Sequence, residues 1–144
     1  MSSFYLATAQ VERAAGDGSM KRVSEQYLVD AMSFTEAEER VCSELVAEGD
    51  GDLQITRIIK PRLAEVFLDN GTDCTAYYRV KIIITAIDEK TGKEKMSPVA
   101  YLVQAISLED AIVTFKAQML GTVSDWTLVS VTETAIVGYI GAEA

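Results

Sequence analysis

The segment Tyr27-Leu28-Val29-Asp30-Ala31-Met32-Ser33-Phe34-Thr35-Glu36-Ala37 returns seventy-four residues later as Tyr101-Leu102-Val103-Gln104-Ala105-Ile106-Ser107-Leu108-Glu109-Asp110-Ala111. Self-similarity at a fixed period constrains a fold more than any single residue, because each copy must be one supersecondary unit written with the same local signals. The likeness extends outward. Gly18 and Lys21 fall on Gly92 and Lys95, and with one residue deleted Leu53-Gln54-Ile55-Thr56-Arg57-Ile58 falls on Trp126-Thr127-Leu128-Val129-Ser130-Val131. Two pseudo-repeats, about 4–68 and 77–140, cover nearly all of the 144 residues, and tandem duplication is their expected origin. At this length, with 49% hydrophobic residues, a single compact domain is expected.

Within the first copy, Tyr5, Ala7, Ala9 and Val11 alternate with Leu6, Thr8, Gln10 and Glu12, the period of two that marks a half-buried strand. Gly16-Asp17-Gly18 then permits a hairpin, and the alternation resumes through Val23, Glu25, Tyr27, Val29 and Ala31, with Glu25 placed at the exposed hairpin end. Ser33 and Glu36 form a Ser-x-x-Glu capping box, in which each side chain accepts from the other residue's otherwise unpaired backbone N–H. Ala37, Val41 and Leu45 follow as one apolar stripe, and Gly49-Asp50-Gly51-Asp52 ends the helix. A strand from Leu53 to about Lys60 is interrupted near Pro61, and Leu63 to Leu68 reads as a short edge strand because proline cannot donate to a central ladder. The doubled Ile58-Ile59 shifts the alternation by one and predicts a bulge.

The second copy repeats this grammar. Asn70-Gly71 opens it, Tyr78, Val80, Ile82 and Ile84 face inward, and Val99, Tyr101, Val103 and Ala105 return. Ser107 caps a helix whose Ala111, Phe115 and Met119 stand where Ala37, Val41 and Leu45 stood, Gly121 stops it, and Trp126 to Ile140 supplies a closing strand or strand pair. The expected class is α+β: a tandem β-β-α-β(-β) unit, with antiparallel sheets each packed by one helix. By topology alone, and as a circular permutation, the order resembles the whirly and purine-rich-element-binding folds, which implies single-stranded nucleic acid as a ligand class.

Enzyme chemistry finds little to work with. The chain has no histidine, which removes the usual general base and the commonest transition-metal ligand. Cys42 and Cys74 occupy unrelated places in the two copies, so neither a disulfide nor a metal site is expected. Asp50 and Asp52 lack the spacing of a calcium loop, Ser33 and Ser107 are explained by capping, and Glu36, Glu38 and Glu39 spread around a helix. No cofactor is expected and the protein is read as a non-enzyme. No apolar run approaches the roughly 20 residues of a membrane span, and no export signal is evident, so a cytoplasmic location is expected.

A net charge of −9 argues against coating nucleic acid by bulk electrostatics, yet eight of the thirteen basic residues lie between Arg57 and Lys95. Arg57, Lys60 and Arg62 precede the second copy, and Tyr77, Arg79 and Lys81 alternate outward on its first strand. These six residues are the candidate surface for nucleic acid or another phosphate-bearing ligand, with Tyr77 as a stacking platform. Leu6, Leu28 and Leu102 also point outward, which implies either sheet-on-sheet packing or a homo-oligomer interface.

Three blocks carry a further resemblance: Tyr27 to Glu38, Asp88-Glu89-Lys90-Thr91-Gly92-Lys93-Glu94-Lys95, and Val131-Thr132-Glu133-Thr134-Ala135. Through them the chain resembles an uncharacterised domain family of small proteins encoded by Bacteroidota and by phages that infect them. The resemblance implies a cytoplasmic accessory protein and carries over no catalytic residue. Two functions remain in view: a single-stranded nucleic-acid-binding protein, or an oligomer that binds a partner protein or sequesters a small nucleotide signal.

Overall fold

The computed structural model describes residues 3–47, 53–68, 76–122 and 125–141. Along the chain run β1 (Ser3–Ala14), β2 (Met20–Ala31), α1 (Phe34–Ala47), β3 (Gln54–Ile59), β4 (Glu65–Phe67), β5 (Ala76–Ile87), β6 (Glu94–Ala105), α2 (Leu108–Gln118), β7 (Asp125–Glu133) and β8 (Ile136–Ile140). The class is α+β: two four-stranded sheets, each packed against one helix, built from a repeated β-β-α-β pattern. The strand orders are β3-β1-β2-β8 and β4-β6-β5-β7. Since β3 and β7, β1 and β5, and β2 and β6 are repeat equivalents, the two sheets share one topology.

The chain divides into two compact units, Met1–Pro61 with Ala135–Ala144, and Arg62–Thr134. Repeats and units do not coincide. β4 belongs to the first repeat but adds parallel to β6 of the second unit, and β8 belongs to the second repeat but adds parallel to β2 of the first. Each sheet thus closes with a strand from the other repeat. Leu63 to Leu68 does supply an edge strand, as its proline predicts, but to the second sheet.

Both hairpins form, and Gly18 and Gly92 take φ of 86° and 69° in their turns, a conformation that side chains disfavour. The bulge lies elsewhere than the Ile58-Ile59 doublet. The shift in β3 falls at Thr56, between Thr8 and Ala9 of β1, and the Thr56 hydroxyl donates to the Thr8 carbonyl at 3.3 Å. An equivalent shift in β7 falls at Val129. Bulges at the same place in both edge strands point to a device that bends the edge away from further pairing.

The helix stripes are buried as expected: Ala37, Val41 and Leu45 against Tyr5, Ala7, Ala9, Val11, Tyr27 and Val29, and Ala111, Phe115 and Met119 against Tyr78, Val80, Ile82, Tyr101 and Val103. Both caps form, with Glu36 N–H donating to Ser33 Oγ and Asp110 N–H to Ser107 Oγ, each at 3.1 Å. The return bond differs from the expected box. The Asp110 carboxylate accepts from Ile106 N–H at 3.2 Å, one residue before the cap. The two cores are filled differently. In the second, Phe67, Tyr101, Phe115 and Trp126 form one aromatic cluster, where the first has Ile140, Tyr27, Val41 and Leu53.

Gly49–Asp52, Asn70-Gly71 and Cys74 lie outside the described residues. Cys42 is a free, half-buried thiol whose pKa is raised by burial and then by Glu38, which leaves it a poor nucleophile. No helix among the described residues is long and apolar enough to cross a membrane.

Candidate functional site

In the second unit, β5 runs between β6 and β7, and its alternate residues Arg79 and Lys81 stand exposed on the sheet face turned from α2. The register gives them uncharged neighbours. Arg79 lies between Leu102 and Thr132, and Lys81 between Ala100 and Ser130. Ser130 and Thr132 are themselves exposed, so two cations are flanked along one edge by two hydroxyls. Neither cation has an ion-pair partner among the described residues. Among the described residues paired with β5, acidic groups enter this face only toward the hairpin end, where Asp125 pairs Thr85 and Glu94 pairs Ile87.

Tyr77 requires a correction. It shares the outward alternation of Arg79 and Lys81 but is only 3% exposed, so its ring is not offered to a ligand. Its backbone carbonyl accepts from both the N–H and the hydroxyl of Thr134 at 2.8 Å, and its hydroxyl takes a 3.4 Å contact from Gln104 Nε2. Leu28 and Leu102, also expected outward, are buried too, at 0% and 3%. Period two correctly gives the face; it does not give the exposure of that face.

The remaining candidates divide between the units. Arg62 is exposed in the second unit, ahead of β4, while Arg57 and Lys60 are exposed in the first, on and just after β3. Arg57 pairs Thr8 in register. Arg22, which sequence reasoning passed over, lies on the same face of the first sheet as Gln10, donating to Gln10 Oε1 at 3.0 Å and to Gln54 Oε1 at 3.1 Å. Its position in the outward alternation of β2 was legible; its reach across two strands was not.

The first unit contains a polar cluster with no counterpart in the second. Arg13 donates to both Glu25 oxygens, at 2.6 and 3.3 Å, and the Tyr27 hydroxyl donates to Glu25 at 2.8 Å. Glu25 is therefore half-buried on the helix side of its sheet instead of standing free at the hairpin end. The Arg13 contact holds its carboxyl below the usual range against the opposing effect of burial, while burial and the neighbouring carboxylate push Tyr27 up to about 12. A hollow of about 340 Å³ opens beside the cluster, with Glu44 and Gly138 on its walls. Because Arg13 is already committed to Glu25, this hollow is a poor phosphate site.

A larger groove, about 440 Å³, lies along α1 between Ser33, Glu39, Glu44 and Gly141. Its Arg40 is held by Glu36 one helical turn away, at 2.5 Å. The arrangement is acidic and offers no nucleophile paired with a base. Among the described residues no group of three or more His, Cys, Asp or Glu is placed to hold a metal ion.

Comparison with known proteins returns no match among curated proteins and none among solved structures. A family match does exist, and it spans residues 3–142, both sheets and both helices included. The chain belongs to the family described as domain of unknown function DUF4494.

Proposed function

We propose that the protein is a non-enzymatic binding protein that holds single-stranded nucleic acid through its phosphates. The carrying observation is the Arg79–Lys81 pair on β5, exposed, without an ion-pair partner among the described residues, and flanked by the Ser130 and Thr132 hydroxyls. Phosphate oxygens accept well from such a set, and contacts made to phosphate carry no base preference. With Tyr77 buried, the reading rests on backbone contacts and not on stacking. Binding would therefore be sequence-tolerant, weak in a chain of net charge −9, and strongly dependent on salt. The proposed setting is the cytoplasm of Bacteroidota, with the protein encoded by the host or its phages.

The test is fluorescence anisotropy of a labelled single-stranded oligonucleotide across a salt series, with the wild type and the R79Q/K81Q variant. Each phosphate neutralised on a single strand contributes about 0.7 to the slope of log K against log salt, so removing both cations should flatten it by about 1.4. Over a fourfold rise in salt that difference corresponds to about a sevenfold change in relative affinity. No binding by the wild type at low salt, or an unchanged slope in the variant, defeats the proposal.

A further inference from the structure

The two helices differ most on the side facing water. On α1 that side carries Glu38, Glu39 and Glu44, all exposed. The equivalent side of α2 is apolar: Val113 is 66% exposed, Ala117 is exposed, and Leu120, just past the helix, is 82% exposed. These three recur at spacings of four and three, which aligns them along one stripe. Ile106, just before the helix, is 60% exposed. The repeat equivalents of Ile106 and Leu120, Met32 and Val46, are exposed and apolar as well, so what sets α2 apart is the middle of the stripe, where Val113 and Ala117 stand in place of Glu39 and Ser43.

We propose that this face of α2 is a self-association surface, on which α2 of a second copy packs antiparallel about a two-fold axis through Val113. The charges of the helix select this occupant. Glu109 and Asp110 lie in its first turn and Lys116 in its last. Antiparallel pairing centred on Val113 sets Val113 against Val113 of the second copy, with Ile106 and Leu120 flanking the two ends of the contact. It also brings Lys116 of each copy beside the acidic first turn of the other. The helix dipoles oppose, which is favourable as well. Parallel pairing would instead set acid against acid. An isologous contact of this kind closes after two copies, so the product is a dimer and not a filament. An eleven-residue helix is about 16 Å long, so the contact is small and its dissociation constant belongs in the micromolar range or above. The same pairing through α1 would oppose Glu38, Glu39 and Glu44 to one another. The inference is independent of nucleic-acid binding, which is read on β5.

Sedimentation equilibrium of the full chain, from roughly 1 µM to roughly 1 mM, tests it. The wild type should pass from monomer to dimer with rising concentration. V113E should weaken association about tenfold or more, since it sets two carboxylates at the axis. K116E should also weaken it, and E109K/K116E should restore it, because exchanging the signs on one chain re-creates the complementary pair across the two-fold. Helix content by circular dichroism separates loss of contact from loss of α2. A wild type that stays monomeric throughout, a V113E variant that associates like the wild type, or a failure of E109K/K116E to recover over K116E overturns the proposal.

Discussion

Phe115 is the residue on which the second core should depend most. It is fully buried beneath α2, with ring centroids 5.1 Å from Tyr101, 5.6 Å from Trp126 and 6.3 Å from Phe67, the first two edge-on. Truncating a buried phenylalanine to alanine costs about 3–5 kcal/mol, and edge-to-face pairs place this site toward the top of that range, at about 4–5 kcal/mol. Val41 holds the equivalent place in the first unit, and V41A removes far less apolar matter, about 1.6 kcal/mol by transfer and about 2 kcal/mol with the cavity included. Trp126 is the single tryptophan, so its fluorescence reports on the packing around Phe115. With a urea dependence of about 2 kcal/mol per molar, F115A should lower the Trp126 midpoint by about 2 M. A shift under about 0.5 M, or an F115A cost no larger than that of V41A, would refute the view that the aromatic cluster anchors α2 to its sheet.

Two further outcomes follow from the geometry. S107A removes the acceptor for Asp110 N–H at the start of α2 and should cost about 1 kcal/mol in thermal unfolding, where S107T should largely preserve stability. The Arg13–Glu25–Tyr27 cluster makes stability depend on pH at both extremes. Tyr27 is raised from 10.0 to about 12, so between those values the unfolded chain loses a proton that the folded chain keeps, and the Tyr27 contribution is lost as pH rises through that window. Glu25 is lowered from 4.5, so its contribution is present above that value and is lost as pH falls through the lower folded value. Phenolate absorbance should show Tyr27 ionising only near about pH 12, and Y27F should remove one phenolate from the late part of the titration, which Tyr78 and Tyr139, also raised by burial, share.

Much of the candidate face was legible in the chain. The outward position of Arg79 and Lys81 follows from alternation with Tyr78, Val80 and Ile82, which is a local property. The burial of Tyr77 was not legible, because alternation assigns a residue to a face without saying what covers that face. Nor was the division of the six candidates, since Arg57 and Arg62 are neighbours in sequence yet fall on either side of the boundary after Pro61. The bulge shows the same limit at shorter range. Ile58 and Ile59 break the pattern, but the register slips at Thr56, where the partner strand offers the Thr8 carbonyl to a hydroxyl.

What the sequence by itself determined is everything that depends on neighbours a few residues away: the duplication, the two hairpins with Gly18 and Gly92 in their turns, the serine caps, and one apolar stripe on each helix. Period two, period 3.6 and cap chemistry are all satisfied within a short stretch of chain, so they are written there. Only the tertiary structure decided that β4 completes the sheet of the second repeat and β8 that of the first. A short edge strand presents the same backbone donors and acceptors to any open edge, and only its packing, with Phe67 of β4 against Tyr101 and Phe115, ties it to one sheet over its twin. In a duplicated chain both edges are near copies, so the choice rests on which closure the whole chain can reach.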